Sequence, residues 1–155
     1  MQIELAKLSD AEQILNLQKL AFKSEAELHN NFNIPPLLQT LESIKSDFQE
    51  FQFFKGCKNG QLIGAVKIRR LNNNWLSIGR LVIHPNYQGH GFGKQMMTFI
   101  ENRFSDVAGY ELFTAEKSTR NIAFYGKLGY HVSSKINEPG HDDISLVVLS
   151  KAVNV

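Results

Sequence analysis

A single cysteine, Cys57, stands among the 155 residues, which excludes an intrachain disulfide and a zinc site built on paired thiolates. No run of about 18 apolar residues occurs, so no membrane-spanning helix is expected. The first residues lack the apolar core of a signal peptide, and a cytoplasmic location is the expectation. An excess of one charge is missing too. Seventeen Lys and Arg face fifteen Asp and Glu, for a net charge of +2. The basic residues are scattered rather than gathered in a stripe, so neither a nucleic acid nor a membrane is implied as partner. None of the five histidines forms a metal set with a carboxylate or cysteine at ligand spacing, and no metal is expected. The chain has no repeat, low-complexity tract or linker. With 43% hydrophobic residues, residues 1–155 read as one domain around one core, as a monomer or homodimer.

What is present alternates in the manner of a mixed sheet flanked by helices. Residues 3–6 read as a strand. Next comes a helix, which Ser9 and Asp10 can cap, with Ile14, Leu17, Leu20 and Ala21 at helical spacing. Residues 22–36, polar and closed by Pro35 and Pro36, read as a loop with room for a short helical turn. Residues 37–48 read as a helix that buries Leu38, Leu41, Ile44 and Phe48. Strands are read at residues 52–58 and 62–71, joined by Asn59 and Gly60, the dipeptide of a tight primed turn. Residues 72–74 turn the chain into a strand at 75–83, and further strands are read at 110–115, from Tyr130 onward and at 144–149. In the strand at 75–83, Leu76 and Ile78 have one parity and Leu81 and Ile83 the other. Either an inserted residue near 79–81 or burial on both faces accounts for this.

The segment IHPNYQGHGFGK at residues 83–94 carries the most chemistry. Pro85 ends the strand, and Gly89, Gly91 and Gly93 then open a helix that buries Met96, Met97, Ile100 and Phe104. Glycines there let backbone amides approach a ligand, and the helix dipole favours an anion such as a diphosphate. The glycines do not complete GxGxxG in either register. Gln95 stands where the phosphate loop GxxxxGK[ST] needs Ser or Thr. The pattern that fits is [QR]xxGx[GA], as Gln88, Gly91 and Gly93.

With IGRLVIHP before it and SxxNxxxYxxLGY at residues 118–130 after it, this loop resembles that of the GNAT superfamily of acyl-CoA-dependent N-acetyltransferases. The resemblance extends to FKSEAELHN and IPPLLQTLES, which look like an acceptor-side segment. It implies an α/β (α+β) fold with a central mixed, mostly antiparallel, splayed sheet of six to seven strands flanked by about four helices. It also implies acetyl-CoA as acyl-donor cosubstrate, and a small-molecule or peptide amine as acceptor. Cofactor contacts fall on the backbone of Leu81, Val82 and Ile83 and on Gln88, Gly89, His90, Gly91, Phe92, Gly93 and Lys94. Relatives place an asparagine where Ser118 stands, with Asn121 one turn along, so either residue is a candidate contact. Tyr125 takes the position of the proton donor to the CoA sulfur, and its alternative is a core aromatic beside Phe124. Residues 22–36 and 137–143 are the expected acceptor walls.

The implied reaction is direct attack of a primary amine on the thioester. An amine of pKa about 10.4 is neutral in about one molecule in 2,500 at pH 7, a deficit of roughly 4.6 kcal/mol, so a base matters. Histone-type relatives carry a glutamate at the position that Ser77 occupies. Glu25, Glu111 and Glu116 are the remaining candidates, and Val82 is the candidate amide donor to the developing oxyanion. A non-catalytic module that binds or senses acyl-CoA is the alternative reading.

Overall fold

The structure, a computed structural model, describes residues 1–153. Its strands are β1 Gln2–Leu5, β2 Gln52–Lys58, β3 Gln61–Arg70, β4 Trp75–Ile83, β5 Gly109–Ala115, β6 His131–Glu138 and β7 His141–Ala152. Its helices are α1 Ala11–His29, α2 Pro35–Leu38, α3 Leu41–Glu50, α4 Phe92–Arg103 and α5 Thr119–Lys127. The seven strands take the order β1-β2-β3-β4-β5-β7-β6 in one mostly antiparallel sheet, with β4 and β5 parallel. Five helices stand where about four were expected, because two expected segments divide differently. The chain forms two compact units, Met1–Arg69 with Arg80–Arg103, and Arg70–Gly79 with Phe104–Val155.

In the first unit, α1 runs eight residues past the point where its apolar pattern fades, so most of residues 22–36 is helix rather than loop. Ala26 is buried, one turn after the partly buried Phe22. Most of the intervening residues face solvent, which hides the helix from a hydrophobicity reading. The turn at Asn30, with φ 51°, ends it. Asp10 does not cap α1 with its side chain. Its carboxylate instead accepts from the Lys7 amide at 2.8 Å and from Lys55 Nζ at 3.0 Å. The helix expected at 37–48 is two helices. Pro35 starts α2 at a position that needs no amide donor. Thr40 then caps α3 by accepting the Ser43 amide at 3.1 Å.

Beneath α1 and α3 lies a core of Ala11, Ile14, Leu17, Ile44, Phe53, Ala65 and Val82. The next residue, Ile83, points the other way. A Cβ on Gly64 would lie 3.0 Å from Ile83 Cδ1 and 2.7 Å from Met96 Sδ of α4. The strand is therefore buried on both faces. The parity break also has a backbone mark, since Arg80 holds φ 51°, a left-handed conformation that bulky side chains rarely adopt. Asn59 and Gly60 both have positive φ, 52° and 78°, as a primed turn requires.

In the second unit, β4 and β5 pair from Trp75↔Gly109 to Ser77↔Glu111. A Cβ on Gly109 would meet the Trp75 ring at 2.6 Å, so only glycine fits under the indole. Leu76, Tyr110, Leu112, Val147 and Leu149 are buried, and the Tyr110 hydroxyl donates to the Phe104 carbonyl at 3.0 Å. Residues 137–143, expected as a loop, are mostly the ends of β6 and β7 around a two-residue turn. Strand β6 is exposed at seven of its eight positions and lies at the sheet edge, so it shows no alternating pattern.

Candidate functional site

The glycine loop is built from backbone. Gly89 and Gly91 hold φ 80° and 83°, and a Cβ on either would meet nothing within 4 Å. Conformation demands glycine at both, and the space beside each is open. The Gln95 amide donates to the Gly91 carbonyl at 3.0 Å and opens the hydrogen-bond ladder of α4. The amides of Phe92, Gly93 and Lys94 precede that bond, so the helix itself offers them no acceptor. Gln88 Nε2 donates to the Ile83 carbonyl at 3.0 Å, tying the loop to the end of β4. The glutamine of the motif thus serves the loop's own shape. Phe92 is buried as a pin, with Tyr87 and His90 rings 6.2 and 6.3 Å away. Lys94 is exposed. The motif did not point to Lys58, whose ammonium stands 5.2 Å from the Phe92 ring centroid. It comes from β2, so no local pattern in the loop marks it.

The second region is built from side chains. Helix α5 ends in a Schellman motif. The Gly129 amide bonds Gly126 O at 3.1 Å, the Tyr130 amide bonds Tyr125 O at 3.1 Å, and Gly129 holds φ 97°. The motif brings the Tyr125 and Tyr130 rings edge to face at 5.9 Å, with Phe124 4.9 Å away on the other flank. Burial pushes the Tyr125 phenol well above its ordinary pKa. Ser118 occupies the N-cap position of α5 but makes no side-chain cap bond. Its Oγ is buried without a hydrogen-bond partner among the described residues. Asn121 Nδ2 donates to Thr114 Oγ1 of β5 at 3.3 Å.

The three candidate carboxylates differ. Glu25 lies on α1 and is not free. Glu116 pairs with Lys135 at 3.0 Å on the surface. Glu111, half-buried on β5, makes no side-chain hydrogen bond or ion pair among the described residues. Leu81 and Ile83 are half-buried and Val82 buried.

Each region by itself offers polar groups to a ligand. Unsatisfied amides at a helix start and open space beside two left-handed glycines suit a diphosphate, and an orphaned hydroxyl at a second helix start can take a polar contact.

The chain belongs to the acetyltransferase (GNAT) family, whose sequence model matches residues 11–130. A curated relative, the UPF0157 protein YqkA of Bacillus subtilis (strain 168), is 29% identical over 126 residues. That match takes in 81% of this chain and only 36% of YqkA, so the chain spans about a third of that relative's length. Among solved structures, the fold is similar to the ribosomal-protein-S18-alanine N-acetyltransferase from Escherichia coli, at a TM-score of 0.79 and 13% identity over 99% of this chain and 94% of that one. It is also similar to the PaiA N-acetyltransferase from Thermoplasma acidophilum, in complex with coenzyme A, at a TM-score of 0.68 and 19% identity over 98% of this chain and 99% of that one. No described helix is long and apolar enough to cross a membrane.

Proposed function

We propose that this chain is a cytoplasmic N-acetyltransferase, acting as one domain, that moves an acetyl group from acetyl-CoA to a primary amine by direct attack with both substrates bound. The observation that carries the reading is the glycine loop, with left-handed Gly89 and Gly91 beside open space and unsatisfied leading amides on α4. When bound, acetyl-CoA supplies an acyl group activated as a thioester. Amides of residues 89–94 receive the diphosphate, and Lys58 and Lys94, both exposed, add positive charge around it. The backbone of residues 81–83 holds the pantetheine arm. The Val82 amide faces the charge that develops on the thioester oxygen, a contact worth about 3 kcal/mol.

Of the two residues open for the second polar contact, Ser118 is the better fit. The Asn121 amide is engaged with Thr114, whereas the buried Ser118 hydroxyl lacks a partner. Such an orphan costs about 1–3 kcal/mol, which a ligand bond would relieve. Tyr125 attends the leaving sulfur. A phenol raised above pKa 10.0 is a weaker acid than a thiol of about 8.5, so complete transfer of its proton runs uphill by at least about 2 kcal/mol. Its contribution is therefore a hydrogen bond to the sulfur, with solvent supplying the final proton.

Ser77, at the position where the resemblance expects a glutamate, favours the alternative of an acyl-CoA sensor without turnover. Calorimetric titration with acetyl-CoA, followed by thiol-release assays across a panel of amines, separates the two. Binding with amine-dependent thiol release supports the transferase. Binding without release from any amine supports the sensor, and absence of binding removes both.

A further inference from the structure

Strand register places four polar residues of the second unit on one row across the sheet. Ser77 of β4 is the partner of Glu111 on β5, Glu111 of Ser150 on β7, and Ser150 of His131 on β6. Register partners point to the same face, with Cβ atoms about 5 Å apart. The opposite face of β5 is the one served by α5, since Thr114, of the other parity, accepts from Asn121. Ser150 is already engaged, its Oγ lying 2.9 Å from Ser133 Oγ. Glu111 is held between two strand neighbours, half-buried, and its carboxylate makes no bond among the described residues. A half-buried carboxylate on a central strand that makes no hydrogen bond or ion pair among the described residues is available to a cationic ligand.

We infer that Glu111 is the acceptor-side catalytic residue, receiving the amine as an ammonium ion and taking one proton from it so that the neutral amine can attack, in place of a carboxylate at Ser77. This rests on the transferase reading above. The ammonium donates a hydrogen bond to Glu111. One proton passes from the ammonium to the carboxylate, and the neutral nitrogen, its lone pair freed, forms the C–N bond to the acetyl carbon. The C–S bond breaks with its electron pair on sulfur, the nitrogen's second proton leaves to solvent as the amide forms, solvent protonates the sulfur, and Glu111 returns its proton to solvent, for a net release of one proton. Neither an oxidant nor a metal enters the balance. Among the three candidate carboxylates, Glu116 is already spent on Lys135 and Glu25 is not free.

The test is Glu111→Gln, assayed from pH 7 to 10 with an amine that the wild-type protein acetylates. The expected result is about a hundredfold lower kcat/KM for the amine at pH 7, unchanged acetyl-CoA affinity by calorimetry, and a deficit that narrows toward pH 10. The narrowing arises because an amine of pKa about 10.4 then carries progressively less of a proton to remove. A merely structural role would give a deficit independent of pH. The double variant Ser77→Glu/Glu111→Gln, with the carboxylate moved one strand along the same row, should regain part of the loss. A Glu111→Gln protein with wild-type kcat/KM, or with a deficit equal at every pH, overturns the assignment while leaving the transferase intact. A wild-type protein that binds no acetyl-CoA overturns both.

Discussion

The glycine loop and the α5 region offer binding atoms of opposite kinds. At the loop, the binding atoms are amides common to every residue, and identity matters only where φ is positive, at Gly89 and Gly91. At α5, the binding atoms are side chains, and the helix decides which of them is free. Thr114 occupies Asn121, while Ser118 is left with an unsatisfied hydroxyl. A backbone site therefore leaves a short, rigid motif, whereas a side-chain site can slide by one helical turn and keep its chemistry.

The sharpest way to break this comparison is Gly89→Ala together with Gly91→Ala. Each substitution puts a Cβ on a left-handed residue at about 1–2 kcal/mol, so acetyl-CoA affinity should fall about a hundredfold by calorimetry. No protein atom lies within 4 Å of either Cβ, so the loss should be one of local shape, with cooperative melting retained. Tyr125→Phe should lower kcat about tenfold, the worth of one hydrogen bond, with acetyl-CoA affinity unchanged. In the parent enzyme no falling limb of the rate profile should arise from Tyr125 below about pH 10, because its phenol is raised above 10.0 and stays protonated throughout that range. Ser118→Ala should weaken acetyl-CoA binding severalfold while leaving the melting temperature level or slightly higher, since the free protein loses an orphan rather than a bond.

The smallest effect concerns Asp10, away from both regions. Burial opposes its charge, but the Lys7 amide and Lys55 ammonium outweigh it, and its pKa is lowered from 3.8. A depressed carboxylate stabilises the fold above its unfolded value and loses that contribution as pH falls through its folded value. Asp10→Asn should therefore cost less than about 1 kcal/mol at pH 7, with the difference from the parent shrinking below pH 4 in acid-melting curves.

The parts of the molecule legible in its sequence are those where local rules and burial agree. The strands at 52–58 and 75–83 coincide with β2 and β4, because their ends carry Asn-Gly, an asparagine run and a proline. The loop glycines were legible for the same reason. The C-terminal third of α1 was not, since Ala26 is the one buried residue it adds and its other side chains read as loop. Nor was the division between α2 and α3, where Gln39 is extended and Thr40 caps the second helix. The start of strand β6 was read at Tyr130, one residue before His131, but the strand buries too little for alternation to mark its length. At the site, Ser118 could be matched by position, but only the fold shows that its hydroxyl is unpartnered. The row Ser77, Glu111 and Ser150 exists only once three strands are in register, a relation no local spacing contains.

The α2 segment is fastened by polar bonds. It buries none of its residues, and a single buried amide, Gln18 Nε2, donates both to the Pro36 carbonyl at 3.0 Å and to Gln39 Oε1 at 2.9 Å. Gln39 Nε2 in turn reaches Asp47 Oδ2 at 2.7 Å, which also takes Lys67 Nζ at 3.3 Å. A piece tied by a polar clasp to an otherwise apolar frame can change its sequence, length and shape without disturbing that frame. If this stretch borders the acceptor, the taste for one amine over another can be rewritten here in few evolutionary steps, while the machinery for the donor is inherited unchanged.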